Sequence, residues 1–136
     1  MRKLSIILLI VLGLGCSKDD EPEVFTSITG YWIVRTPDNA TEITFRIGID
    51  SNNEYIVETS GVNHNGSDYT RQPIDVGLFV ISPTEIESIT FRTNDFVIRL
   101  LDISVNNTFT ELEITNSILL IDGIFREFAM MKATRK

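Results

Sequence analysis

From Val24 onward, apolar side chains come in short runs separated by turn residues, and no stretch sustains a helical period. The clearest run is 41–49. There Ile43, Phe45, Ile47 and Ile49 alternate with Glu42, Thr44, Arg46 and Gly48, the two-residue period of a half-buried strand. Asp50-Ser51-Asn52-Asn53 follows with turn chemistry, and 54–60 reads as the partner strand of a hairpin. Residues 61–68, GVNHNGSD, read as a polar loop, and 69–74 as a weaker strand.

The second half repeats the theme. Strands are expected at 78–81, 85–92, 96–103, 108–115, 118–121 and 124–131, with 133–136 a frayed basic end. In 85–92 the apolar face changes parity near Ser88, as a β-bulge would cause. Asn116-Ser117 reads as a turn, and Asp122-Gly123 between ILLI and IFREF is the strongest hairpin signal in the chain. With a first strand around 28–34, eight to ten strands result. The expected fold is a single all-β domain, an up-and-down antiparallel barrel or a β-sandwich. No internal repeat or low-complexity segment interrupts it.

Residues 1–20 stand apart. Arg2 and Lys3 precede the uncharged run LSIILLIVLGL at 4–14, then Gly15, the chain's one cysteine at Cys16, and SKDDEPE. A positive start, a short apolar run and a small residue before the cut form a secretory signal. The run falls short of the roughly 20 residues a membrane span needs. The segment resembles a bacterial lipoprotein signal. That resemblance implies a signal peptide at 1–15, acylation of Cys16 as the first mature residue and a membrane anchor through it. SKDDE at 17–21 is similar to the lysine-plus-acids tag of surface lipoproteins in Bacteroidetes-type bacteria, which implies an outer-membrane protein facing the medium or the periplasm. By composition alone 16–23 is a solvated acidic tether, leaving 24–136 as the domain.

Charge narrows the partners. The whole chain has 12 basic and 19 acidic residues, net −7. Losing Arg2 and Lys3 with the signal leaves ten against nineteen, net −9. Such a surface argues against nucleic acid, whose phosphates call for Lys and Arg. With Cys16 acylated, no thiol remains for a disulfide, a metal or a nucleophile.

Gly30-Tyr31-Trp32 is similar to the Gly-x-Trp on the first strand of lipocalins and lipocalin-like bacterial lipoproteins. The resemblance implies a barrel in which Gly30 and Trp32 close one end against a cation from the last strand, with Arg126 the first candidate and Lys132 the second. Read from the residues alone, Trp32 is a large core side chain after a turn glycine. In a barrel, alternation places Val34, Phe45, Ile47, Val57, Ile98, Leu100, Leu112 and Phe128 inward, as packed core or as the lining of a ligand cavity.

Catalytic chemistry is sparse. His64, the lone histidine, sits in an Asn/Gly/Ser stretch with Asp68 its only nearby acid. Asp50, Asn52 and Glu54 resemble the start of a calcium loop, but the sixth position is Tyr55 and the twelfth Gly61, so a hairpin turn explains them better. Glu85, Glu87, Glu111 and Glu113 occupy alternate strand positions, a pattern of solvated sheet faces. The expectation is no enzyme, no cofactor and no metal. Two functions remain: binding a small apolar ligand or glycan, or acting as a structural or protein-interaction module of the envelope.

Overall fold

The computed structural model describes residues 23–69 and 74–136. The signal segment, Cys16 and most of the acidic tether lie outside the described residues, as does the centre of the strand expected at 69–74.

All described elements are strands and turns. They are β1 (Gly30–Arg35), β2 (Thr41–Ile49), β3 (Tyr55–His64), β4 (Ser67–Asp68), β5 (Asp75–Ser82), β6 (Glu85–Arg92), β7 (Phe96–Val105), β8 (Glu111–Ile121) and β9 (Ile124–Arg135). They form one antiparallel sheet in the order β4-β3-β2-β1-β9-β8-β7-β6-β5, curled into a half-barrel. Consecutive strands pair along both arms, and β1 joins the arms by pairing with β9 through Trp32↔Arg135, Ile33↔Thr134 and Val34↔Ala133. At the far ends of the order, β3 and β5 approach each other across a seam.

Several boundaries differ from the sequence reading. β3 runs on to His64, because one extra residue near Ser60 bulges against Thr44 and Phe45 and restores inward parity for Val62 and His64. The turn then falls at Asn65 and Gly66, both at positive φ, the geometry Asn-Gly favours. β8 is one strand where a turn was expected. Ser117 is fully buried, and its hydroxyl donates to the carbonyl of Phe128. β9 continues to Arg135 where fraying was expected. Asp122-Gly123 does form the two-residue turn, with φ of 52° and 77°.

A line of parity changes crosses the larger arm. Two successive outward residues interrupt the alternation in each of four adjacent strands: Glu87-Ser88, Leu101-Asp102, Thr115-Asn116 and Ala129-Met130. The ladders keep the same register on both sides of the interruption, so Glu87, Asp102, Thr115 and Met130 form one row. Asp102 and Met130 carry the strain at φ of 51° and 56°. Each interruption bends its strand, and four in a row crease the sheet. The crease turns both halves of the arm toward one core. Ile86, Ile103, Leu112, Ile114 and Met131 lie buried on one side of it, and Ile89, Phe91, Ile98, Leu100 and Leu119 on the other.

The crease makes a specific demand at Asp102. Glycine there relieves the positive φ and should change stability by less than about 1 kcal/mol. Asp102→Val, β-branched and strained at that angle, should cost about 1–3 kcal/mol. Chemical denaturation of the two variants checks the order.

Candidate functional site

Hairpin turns alternate between two ends of the sheet. One end gathers 50–54, 83–84, 106–110, the entering segment 23–29 and the chain's last residues. The other gathers 36–40, 65–66, 93–95 and 122–123. We call them the clamped end and the mouth.

At the clamped end Trp32 is fully buried, and its indole N–H donates to the Ile28 carbonyl at 2.9 Å. The cation over its ring is Arg135, at 4.6 Å, so the expectation of Arg126 or Lys132 is corrected. Arg126 lies at the mouth, paired with Asp38, and Lys132 pairs with Glu111 at 2.8 Å. Register explains the choice, since Arg135 stands directly opposite Trp32 on the neighbouring strand. The inward alternation Met131, Ala133, Arg135 carried that signal in the sequence.

Arg135 does more than cover the indole. Its Nε donates to the Phe109 carbonyl at 2.7 Å and its Nη1 to Thr29 at 2.5 Å, while Nη2 donates to Ser27. Phe25 stacks on the same guanidinium at 4.2 Å. Burial pushes the Arg135 group below its ordinary value, and Glu23 opposes that push. Gly30 is the counterpart. Its φ is 141°, and a Cβ there would overlap Nη1 of Arg135. Phe109 is held at φ 54°, costly for a bulky residue. The strain aims its carbonyl at Arg135.

The inward side chains form a packed core. Phe45, Ile47, Ile98, Leu100 and Leu112 expose no surface, Val34 1% and Val57 4%. Among the described residues these side chains are packed core. Phe128 packs partly buried against the same cluster.

At the mouth, His64 is buried rather than looped out, with Nδ1 2.7 Å from Thr41 Oγ1 and Nε2 3.2 Å from Asn65 Nδ2. Asp68 makes no part of these contacts. His64 and Asn65 line a cleft with Leu119, Ile121, Ile124 and Arg126 whose volume is about 30 Å³, room for a water molecule. The Asp38 carboxylate beside it is held below its ordinary value by the Thr36 hydroxyl, then by the Ala40 N–H and the Arg126 guanidinium. Tyr69 donates to Asp122 at 2.6 Å, which raises the phenol above its usual range.

The outer face carries a groove of about 220 Å³ along the crease, lined by Ile81, Glu85, Ile86, Asp102, Ile103, Ser104 and Thr115. Glu85, Ser104, Glu113 and Lys132 form one cross-strand row beside it. Beyond Ile81, Phe79 is also exposed on the same face, at 60% against 61% for Ile81. The apolar run 78–81 was legible in the sequence; that two of its members face solvent was not. The acids Asp50 and Glu54 belong to a turn, where Asp50 Oδ1 accepts the N–H groups of Asn52 and Glu54. Among the described residues no group of three His, Cys, Asp or Glu side chains is placed to hold a metal, and no helix is long and apolar enough to cross a membrane.

Comparison with protein-family models, with curated proteins and with solved structures finds no match.

Two predictions follow the geometry. Trp32→Ala should cost roughly 3–5 kcal/mol and Arg135→Ala less, with non-additive losses because the groups touch. Arg135→Ala should red-shift the emission of the lone tryptophan, whereas Arg126→Ala leaves it unchanged. Simply additive losses, or equal emission shifts, would contradict the clamp. At the mouth, a lowered Asp38 value means stability present above pH 4 and lost as pH falls through the folded value. Asp38 is partly exposed, so Asp38→Asn should cost no more than about 1 kcal/mol near pH 7. The gap to wild type should close in acid, as melting curves across pH 2–7 would show.

Proposed function

We propose that the protein is a lipid-anchored, non-catalytic module of the bacterial envelope that docks another envelope protein through the outer face of its sheet. The anchor is Cys16 behind the signal at 1–15, and the location is the outer membrane. The fold in this reading is lipocalin-like, with the circular strand order completed where β3 meets β5. The carrying observation is the contrast between a packed core and an apolar exterior. The residues that alternation would assign to a ligand cavity are packed, while Phe79 and Ile81 stand in solvent beside the crease groove. Large apolar side chains beside a groove mark contact surfaces. Glu85 and Asp102 on the groove walls, on a chain of net charge −7, complement a partner segment carrying aliphatic and basic side chains.

A second reading rests on the mouth cleft. Its apolar wall of Leu119, Ile121 and Ile124 faces the polar groups of His64, Asn65 and Arg126, so a small ligand would sit there rather than inside the sheet. Native mass spectrometry of the purified protein separates the two. Docking predicts the mass of the acylated chain alone, and a stoichiometric small adduct favours the cleft.

Two measurements test the main reading. Fatty-acid labelling should mark the wild type and not Cys16→Ala; equal labelling removes the anchor. A photo-crosslinking residue at Phe79 should join the protein to one envelope protein in living cells, and the same probe at Asn53 should not. Equal capture at both positions, or none at Phe79, would count against docking through this face.

A further inference from the structure

We propose that the partner on the outer face is a second copy of this chain, packed about a two-fold axis that runs along the strands between β7 and β8. The inference rests on the docking reading above and names its partner. Strands β6 to β9 carry the face, and their ladders align its outward residues in cross-strand rows. Toward the mouth one row reads Arg92, Val97, Leu120, Phe125. Toward the clamped end another reads Glu85, Ser104, Glu113, Lys132. Every one of these residues except the half-buried Val97 is exposed.

A two-fold contact pairs a patch with itself, so each row meets its own reverse. An axis along the strands sets β7 on β8 of the second copy, and β6 on its β9. In the mouth row Val97 then meets Leu120, apolar on apolar, and Arg92 meets Phe125, a cation over an aromatic ring. In the other row Glu85 meets Lys132, and Ser104 meets Glu113. In the crease row between them Glu87 meets Met130 and Asp102 meets Thr115. No charge in these rows faces its own sign, an arrangement that would cost affinity. The acids beside the groove thus receive Lys132 and Met130, one basic and one apolar side chain. A two-fold across the strands would instead set Leu120 on Glu113 and Val97 on Ser104, apolar on polar.

Shape favours the same axis. The sheet curls across its strands, so its outer face is convex and two copies touch first along β7 and β8, with their strands nearly aligned. That line holds Val97 and Leu120. The flanks, where two convex faces diverge, hold the long side chains of Arg92, Phe125, Glu85 and Lys132, which reach across. Phe79 stands one strand outside β6 on the same face, opposite Ser88, at the margin of the contact.

The test uses the full-length acylated protein in detergent micelles at physiological salt, where repulsion between the net charges is screened beyond about 8 Å. Sedimentation and light scattering across concentration should show a reversible dimer. Glu85→Lys sets two cations against each other and should weaken it about tenfold or more. Adding Lys132→Glu to the same chain should restore it. Positions 85 and 132 lie three strands apart, about 14 Å within one chain, so the rescue can run only between copies. Rescue by Arg92→Glu instead would place the axis across the strands and overturn the proposal. Leu120→Asp, at a position 40% exposed in the single chain, should abolish the dimer while melting curves show the fold kept; an unchanged dimer also overturns the proposal. A chain that stays monomeric at every concentration overturns self-pairing, and the Phe79 probe then separates the two readings. Capture of a different envelope protein keeps docking through this face, whereas no capture removes both.

Discussion

One guanidinium holds this domain's two ends together. The entering segment 23–29 is not a strand, so its carbonyls have no ladder to satisfy them, and buried carbonyls need partners. Arg135 supplies them from the other end of the chain, with a planar fork of donors that no lysine can reproduce. The same group covers the indole of Trp32 and packs on Phe25. Its demands spread outward: Gly30 must lack a side chain, Phe109 must accept a positive φ, and β9 must run unbroken to its last residues. The clamp spans a sequence separation of more than a hundred residues. Such non-local contacts carry a large loop-closure entropy, which their burial must offset.

Curvature is the second constraint. A flat nine-stranded sheet could not bury one face by itself. The crease from Glu87 to Met130 and the bulge in β3 bend the arms toward each other around a common core. The bending leaves strained backbone at Asp102 and Met130, both exposed, where no core packing is disturbed. It also opens the outer groove, because two successive outward residues per strand leave space between them. The feature that packs the core is the one that shapes the exterior.

Electrostatics follow this division. Glu42, Glu58 and Glu111 pair across strands with Arg35, Arg46 and Lys132 on solvated faces, where such pairs contribute little to stability. The polar groups drawn into the core are few and satisfied: the Thr36 and Thr41 hydroxyls, Ser117 and His64 each have partners. Among the described residues no buried side-chain nitrogen or oxygen lacks one.

The strand class, the hairpin at Asp122-Gly123 and the parity change near Ser88 were legible because alternation and turn chemistry are local properties of a few neighbouring residues. The Asn65-Gly66 turn carried an equally local signal, masked by the polar residues around it. The inward positions of Phe45, Ile98 and Leu112 followed from alternation too, but not whether they meet one another or a cavity, since that depends on how far the sheet curls. The partner of Trp32 was misassigned for a related reason. Arg126, Lys132 and Arg135 all lie on the last strand, and only the β1–β9 register, set by pairing across a hundred residues, selects Arg135. What sequence alone determined about this protein was its strands and their faces. Tertiary pairing decided which faces meet, because register and curvature are set by the sum of many contacts and by no single segment.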